Sequence, residues 1–221
     1  MLGAQPLLAF SEAFDAVTDV DFYAKQKYVS VDTGVLTSGL TYTFDDIYSL
    51  NGKEVTVQCG GGNPHSVTIN LSENDVKVIM AASIEKQIDP TIIVADIAHE
   101  SKFQSNSTSS AGAVGLMQIL PESAQLYSDK SKNLIISLGG DPNNLYDKTT
   151  NICTGATVIR CWINEYGNNE EPMRALLQGY RDYIQNPETG WSEKSIIVGK
   201  EFLDIKNQLD EMIADNQGDE K

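Results

Sequence analysis

The sequence predicts an α+β fold in which a mainly helical domain follows a small β-rich N-terminal region. Between Tyr28 and Leu71, short segments rich in Val, Thr and Tyr alternate apolar with polar residues, which is typical of strands. From Ser72 onward, apolar residues recur at helical spacing, and prolines stand where helices would begin. We therefore expect a β-rich region over residues 1–71, whose role the sequence does not indicate, a helical domain over 72–190, and a C-terminal helix with a polar tail over 191–221.

Four segments of the N-terminal region are candidate strands. They occupy residues 27–39, 40–50, 53–59 and 66–71. Asn-Gly and Gly-rich stretches between them are typical of turns. Residues 12–26 are consistent with a short helix.

The helical domain begins at Ser72, which we expect to cap a helix together with Asp75 three residues later. Asp89-Pro90 predicts the start of a second helix. Its sequence, TIIVADIAHES, is apolar on most sides, so this helix should be central. Further helices are predicted to open at Pro121, Asn151, Pro172 and Ser192, the last with an apolar stripe of Val198, Phe202, Ile205, Leu209 and Met212.

Composition excludes several classes of partner. The 31 acidic and 16 basic residues give a net charge of −15, so nucleic acid and anionic membranes would repel the protein, as polyanionic cell walls also would on average. No stretch approaches the roughly 20 apolar residues of a membrane helix, and no basic segment precedes the apolar patch near the N-terminus. We therefore expect neither membrane insertion nor a secretory signal. The three cysteines and two histidines predict no disulfide framework, no metal site and no cofactor.

Glu100 stands where the apolar helix ends. The helix dipole disfavours negative charge at a C-terminus, and apolar neighbours disfavour the ionised carboxyl as well. A carboxyl kept protonated in this way can serve as a general acid. The alternative is an ordinary solvated or paired glutamate.

The segment after Glu100 has the composition of a binding loop. Gly112 and Gly115 permit close approach of a ligand, and Ser-rich residues 105–110 offer hydroxyl groups. Met117 and Gln118 combine an apolar surface with an amide. An ordinary surface loop with turn glycines remains the alternative.

Together these motifs resemble the soluble lytic transglycosylases, lysozyme-like enzymes that also resemble goose-type lysozymes. The resemblance covers about residues 72–190. It rests on ES-x-F at 100–103, SAGA-x-GLMQ-x-x-P at 110–121, NLYD and NI-x-x-G within 144–155, and AL-x-x-x-Y at 175–180.

The resemblance implies a lysozyme-like fold and peptidoglycan as the substrate. Glu100 would be the lone catalytic acid and base, cleaving the β-1,4 bond between N-acetylmuramic acid and N-acetylglucosamine to give 1,6-anhydro ends. The resemblance also implies that Tyr180 orients Glu100. The residues implied to contact the substrate are Ser101, Gly112, Gly115, Met117, Gln118 and Tyr180.

One departure from the family pattern leaves alternatives open. Arg181 follows Tyr180 where the family commonly has Asn, and a guanidinium cannot accept a hydrogen bond. A hydrolytic muramidase that holds a water with Asp96 or Asp182 is one alternative. A catalytically weak virion structural or wall-binding module is another. We expect Asp96 to be structural and His99 to be incidental.

The expected partners are peptidoglycan glycan strands, with neither nucleic acid nor an inserted membrane. A phage virion protein, or a lysin released from the host cytoplasm, would act on the wall or in the periplasm. A periplasmic bacterial enzyme is the remaining possibility. Other virion or secretion-apparatus proteins are candidate partners of the N-terminal region.

Overall fold

A computed structural model describes residues 28–29, 40–59, 61–166 and 193–219. Within these ranges the elements are β1 (Tyr28–Val29), β2 (Thr41–Tyr42), α1 (Phe44–Tyr48), β3 (Glu54–Val57), β4 (His65–Thr68), α2 (Glu73–Lys86), α3 (Pro90–Glu100), α4 (Pro121–Ser137), α5 (Lys148–Tyr166) and α6 (Glu193–Asp219). β1 pairs antiparallel with β2, and β3 with β4. The predicted α+β class, mainly helical after a small β-rich region, is confirmed.

The β3–β4 hairpin places alternate residues in the core. Val55, Val57 and Val67 are buried, whereas Glu54 and Thr56, which alternate with the valines of β3, are exposed. In the register of the hairpin Val55 lies opposite Val67. This alternation is the period-two pattern that predicts a half-buried strand.

The segment over residues 40–50, predicted as a strand, contains a short helix instead. Only Thr41 and Tyr42 are in a strand, and α1 follows. The Thr43 hydroxyl accepts from the Asp46 N–H at 3.2 Å, and the Asp46 carboxylate accepts from the Thr43 N–H at 2.7 Å. This reciprocal capping box satisfies two donors at once and overrides the strand propensity of the flanking residues.

The helix starts at Ser72 and Pro90 are confirmed. Ser72 and Asp75 form a capping box at the start of α2. Asp89 occupies the N-cap position of α3 without capping it, and instead its carboxylate faces Lys206 of α6 at 3.9 Å. Residues 90–98 of α3 are buried, as expected for a central helix.

The helices predicted to open at Pro121 and Asn151 are present, with α5 starting slightly earlier, at Lys148. The helix predicted at Pro172 lies outside the described residues, as does Ser192. Among the helices that the structure describes, none is long and apolar enough to cross a membrane.

One apolar core joins the hairpin, the central helices and α6. Phe202, Ile205 and Leu209 from the predicted stripe are buried in it, together with Ile213. Gln208 pairs with the edge of β3, since its side-chain oxygen accepts from the Thr56 N–H at 2.8 Å and its amide donates to the Thr56 carbonyl at 3.1 Å. α6 therefore covers the outer edge of the hairpin.

The predicted polar tail is instead helical through Asp219. Gln217 donates to the Thr41 carbonyl at 2.9 Å, and Asn216 donates to the Ser49 hydroxyl at 3.1 Å. These contacts with the N-terminal region stabilise the last turns of α6. They cannot be predicted from the polar composition of the segment alone.

Candidate active site

Glu100 is the last residue of the buried helix α3. Its side chain is 25% exposed, so the carboxyl reaches solvent while the backbone is anchored in the core. Ser101 ends the helix, and both its N–H and its hydroxyl donate to the Ile97 carbonyl, at 3.1 and 3.2 Å. Glu100 is therefore accessible to a substrate on a rigid support.

The chain reverses direction directly after Glu100 through a strained backbone. Lys102 and Phe103 both have positive φ, at 54° and 64°. Such a conformation costs a non-glycine residue about 1–2 kcal/mol. Phe103 is 9% exposed and packs in the core, which holds the strained turn in place. Strain of this kind clusters at functional sites.

Asp96 lies one turn before Glu100 on the same face of α3. It is 8% exposed. Burial is the main cause that raises the pKa of its carboxyl well above the usual value, and the charge of Glu100 raises it further. The site therefore pairs one accessible carboxyl with one buried carboxyl that resists ionisation.

His99, which the sequence predicts to be incidental, contacts the acid. Its Nδ1 is 3.3 Å from Glu100 Oε1, and its Nε2 is 3.8 Å from Glu201 Oε2. Glu201 also accepts a hydrogen bond from the Gly61 N–H at 2.8 Å. Sequence reasoning missed Glu201 because it lies about a hundred residues further along the chain, on α6, with no local motif around it.

The N-terminal hairpin borders the same region. Cys59, just after β3, is exposed. Partial burial raises the pKa of its thiol, Lys102 lowers it, and Glu201 and Glu100 raise it. The hairpin, the turn after α3 and α6 therefore meet around Glu100.

Asn151 organises the glycine-containing loop between α3 and α4. Its carboxamide accepts from the Met117 N–H at 2.8 Å and donates to the Val114 and Leu145 carbonyls, both at 2.9 Å. Asn151 is 1% exposed, so these bonds form away from water. The NI-x-x-G element contains this residue, although its sequence context does not reveal its role.

Two glycines allow the loop to sit against α5. Gly115 has a φ of 81°, and a Cβ there would lie 2.7 Å from Asn151 Cγ. At Gly155 on α5, an added Cβ would collide with the Met117 side chain, including Cε at 2.7 Å. The loop thus requires glycine at both positions for steric reasons.

The predicted substrate-contacting residues lie at different depths. Ser101 and Met117 are buried, at 5% and 4% exposure, so they support the site from beneath. Gln118 is partly exposed, with a φ of 44°, and its amide donates to the Gly115 carbonyl at 2.8 Å. Gly112 has a φ of 84° and open space around it. Tyr180 and Asp182 lie outside the described residues.

In the part of the chain that the structure describes, no group of His, Cys, Asp and Glu side chains is arranged to hold a metal ion. Cys59, Cys153 and Cys161 are free thiols. Glu100, whose carboxyl is accessible, is suited to general acid–base chemistry.

Glu100 ends a buried helix, and a glycine-containing loop follows it along the chain. The site is therefore of the class that uses a general acid. The chain belongs to the transglycosylase SLT domain family, whose model matches residues 77–189. This match includes Glu100, the glycine-containing loop and Tyr180.

Curated relatives are similar over the same region. The chain is 35% identical over 103 residues to the transglycosylase of Enterobacteria phage PRD1, covering 47% of this chain and 34% of that protein. It is 33% identical over 114 residues to the membrane-bound lytic murein transglycosylase C of Salmonella typhimurium, covering 46% of this chain and 30% of that protein. The chain thus spans about a third of the length of these relatives.

A solved structure is similar at low sequence identity. The 70 kDa soluble lytic transglycosylase of Escherichia coli aligns with a TM-score of 0.48 and 23% identity, over 68% of this chain and 25% of that one.

Proposed function

We propose that the protein is a peptidoglycan lytic transglycosylase with Glu100 as its single catalytic acid and base. The observation that carries this proposal is the placement of Glu100, which is 25% exposed at the end of a helix buried from Pro90 to Ala98. Its ES-x-F element lies inside the region that matches the family. The names of the phage and bacterial relatives, both transglycosylases, support the same reaction.

The reaction needs one group that first gives and then takes a proton. Protonated Glu100 donates to the glycosidic oxygen as the bond to C1 of N-acetylmuramic acid breaks. The Glu100 carboxylate then removes the proton of the muramoyl 6-hydroxyl, whose oxygen bonds to C1. The products are a free 4-hydroxyl and a 1,6-anhydro end, no water is consumed, and Glu100 regains its proton.

The state of Asp96 favours this single-acid scheme. A two-carboxylate glycosidase needs an ionised second carboxyl as nucleophile or base. Burial raises the pKa of Asp96, which opposes that ionisation. The substrate's own N-acetyl group would then stabilise the developing positive charge, as in substrate-assisted enzymes.

Product analysis tests the reaction. Purified peptidoglycan is digested with the protein, and the muropeptides are weighed by mass spectrometry. We expect 1,6-anhydro products, each lighter by one water than the products of hydrolysis. Reducing ends from the native protein would instead identify a hydrolytic muramidase. Binding to the wall without any release of products would identify a wall-binding module.

Glu100→Gln tests the acid. The amide keeps the shape but cannot donate the proton, so the rate should fall at least about 100-fold. Glu73→Gln, which changes an exposed glutamate on α2, is the control and should be as active as the native protein. Equal clearing of a peptidoglycan gel by both variants would exclude Glu100 as the catalyst.

The proposed setting is phage-associated wall degradation, supported by the similarity to a phage PRD1 protein. A virion component and a lysin differ in where the chain is found. Mass spectrometry of purified virions that detects the chain would identify a virion component, and contacts of the N-terminal region with other virion proteins could then be mapped by cross-linking.

A further inference from the structure

We propose that Lys102 is a specificity-determining residue, whose ammonium group binds a carboxylate of the peptide stem on the N-acetylmuramic acid at which Glu100 acts. This inference rests on the proposed function and names the form of peptidoglycan that the site prefers. Lys102 lies two residues after Glu100 in the chain. The ligand of Lys102 would be the anionic stem rather than the sugar itself.

The turn after α3 presents the Lys102 side chain from a rigid base. The Gln104 N–H donates to the Ser101 carbonyl at 3.0 Å, which closes a turn with Lys102 and Phe103 at its centre. Ser101 and Phe103 are buried, at 5% and 9% exposure, whereas Lys102 between them is exposed. The backbone of Lys102 is therefore fixed by its neighbours, while its side chain extends into solvent.

The backbone conformation of Lys102 is one that favours glycine. Its φ is 54°, and that of Phe103 is 64°. A turn with positive φ at both central residues favours Gly, Asn or Asp, and other residues are held there at a cost in free energy. Burial of Phe103 in the core offsets this cost. Lys102 is exposed and has no such packing role, so a ligand would account for its side chain.

The ammonium group of Lys102 is available to an external anion. Among the described residues Lys102 forms no ion pair and no side-chain hydrogen bond. Burial raises the pKa of the Cys59 thiol, Lys102 lowers it, and Glu201 and Glu100 raise it. One thiol is thus within electrostatic range of both Lys102 and Glu100, which places the ammonium group and the acid in the same region.

The substrate offers an anion at a matching distance. The bond that Glu100 would cleave starts at C1 of N-acetylmuramic acid, and the same sugar carries the peptide stem on its C3 lactyl group. Two stem residues span about 7 Å when extended, and the lysine ammonium stands on a flexible four-carbon chain. Because the net charge of −15 repels anionic strands, a contact between Lys102 and a stem carboxylate would favour their binding locally.

Matched substrates test the charge of the stem. Two synthetic tetrasaccharides carry the same alanine–glutamate stem, with its carboxyl groups either free or converted to carboxamides. The native protein should have a kcat/KM about 3-fold to 5-fold higher on the free-acid form, the effect of one exposed ion pair. Lys102→Gln should lower this ratio to 1 or below, whereas Lys102→Arg, which keeps the charge, should retain it. Added salt should weaken the native preference.

Lys132→Gln is the matched control. Lys132 is an exposed lysine on α4, so its substitution removes the same charge from a different place and should leave the ratio at the native value. An unchanged ratio in Lys102→Gln would mean that the stem does not meet Lys102. An equal fall in Lys132→Gln would mean that net charge alone sets the preference. Either result would overturn the proposal.

Lys102→Gly separates ligand binding from a structural role. Glycine adopts a φ of 54° without strain, so the melting temperature should rise by about 2–4 °C while the preference for the free-acid form is lost. A fall in melting temperature would show that the Lys102 side chain supports the fold, and the proposal would then be wrong.

Binding measurements distinguish a failure of this proposal from a failure of the proposed function. Calorimetry gives the Kd of both tetrasaccharides for Glu100→Gln, with and without Lys102→Gln. Tighter binding of the free-acid form only when Lys102 is present would support the proposal, and equal Kd values with Lys102 present would disprove it. A native protein that prefers the free-acid form through Lys102 but cleaves neither substrate would disprove the proposed function and leave stem recognition intact.

Discussion

At the residue scale, the carboxyls of Glu100 and Asp96 on α3 lie in different environments. Glu100 is partly exposed, whereas Asp96 is buried, and burial raises the pKa of Asp96 well above the usual value. In the unfolded chain Asp96 ionises near pH 4. As the pH rises past that point, the unfolded state loses this proton before the folded state does. The contribution of Asp96 to stability is therefore fully present at low pH and is lost as the pH rises through the raised pKa.

Asp96→Asn should remove this loss of folding stability at rising pH. We expect the variant to be more stable than the native protein at pH 7, with the two melting temperatures converging toward pH 4. In a chain of this size each kcal/mol shifts the midpoint by about 2–4 °C. Thermal unfolding between pH 4 and pH 8 measures the difference, and a gap that does not change with pH would contradict the ionisation account.

At the scale of elements, Asn151 of α5 ties the loop between α3 and α4 to that helix. Asn151→Ala removes three hydrogen bonds, of which those to the Met117 and Val114 backbones are buried and that to the Leu145 carbonyl is partly buried. We expect a loss of about 2–4 kcal/mol in the free energy of unfolding, since buried groups are left unpaired. Denaturant unfolding measures the loss, and hydrogen exchange should show faster exchange of the Met117 amide. Asn74→Ala, at an exposed position in α2, is the control, and equal effects of the two substitutions would contradict this role.

The same scale shows how far local sequence predicts structure. Ser72 with Asp75 predicts a helix start correctly because a capping box acts over three residues. Pro90 predicts one correctly because its fixed φ suits the first helical position. The same capping box at Thr43 and Asp46 lies among residues with strand propensity, so the sequence does not predict α1. The candidate site likewise has a part that local sequence predicts and a part that it does not. Glu100 stands in a local motif, whereas the contact of His99 with Glu201 arises only when α6 packs on α3.

At the scale of the whole molecule, the three regions that the sequence predicts (β-rich region, helical domain and C-terminal helix) share one apolar core. Residues from the hairpin, from α2 to α5 and from α6 pack in a single apolar cluster. Burial of one large apolar side chain is worth about 1.5–3 kcal/mol. The gross burial free energy of Phe202, Ile205, Leu209 and Ile213 is therefore comparable in size with the roughly 5–15 kcal/mol net stability of a typical protein, so their loss should be decisive.

A chain that ends at residue 190 should for this reason fail to fold cooperatively, although it contains the whole region that matches the family. Loss of α6 exposes the core and leaves His99 without Glu201. We expect a broad thermal transition and strong binding of a hydrophobic dye. A chain that ends at residue 215 keeps the four buried side chains and loses the surface contacts of Asn216 and Gln217, so it should unfold in one sharp transition. A sharp transition for the shorter chain would mean that the family region is an independent domain and that α6 is an addition to it.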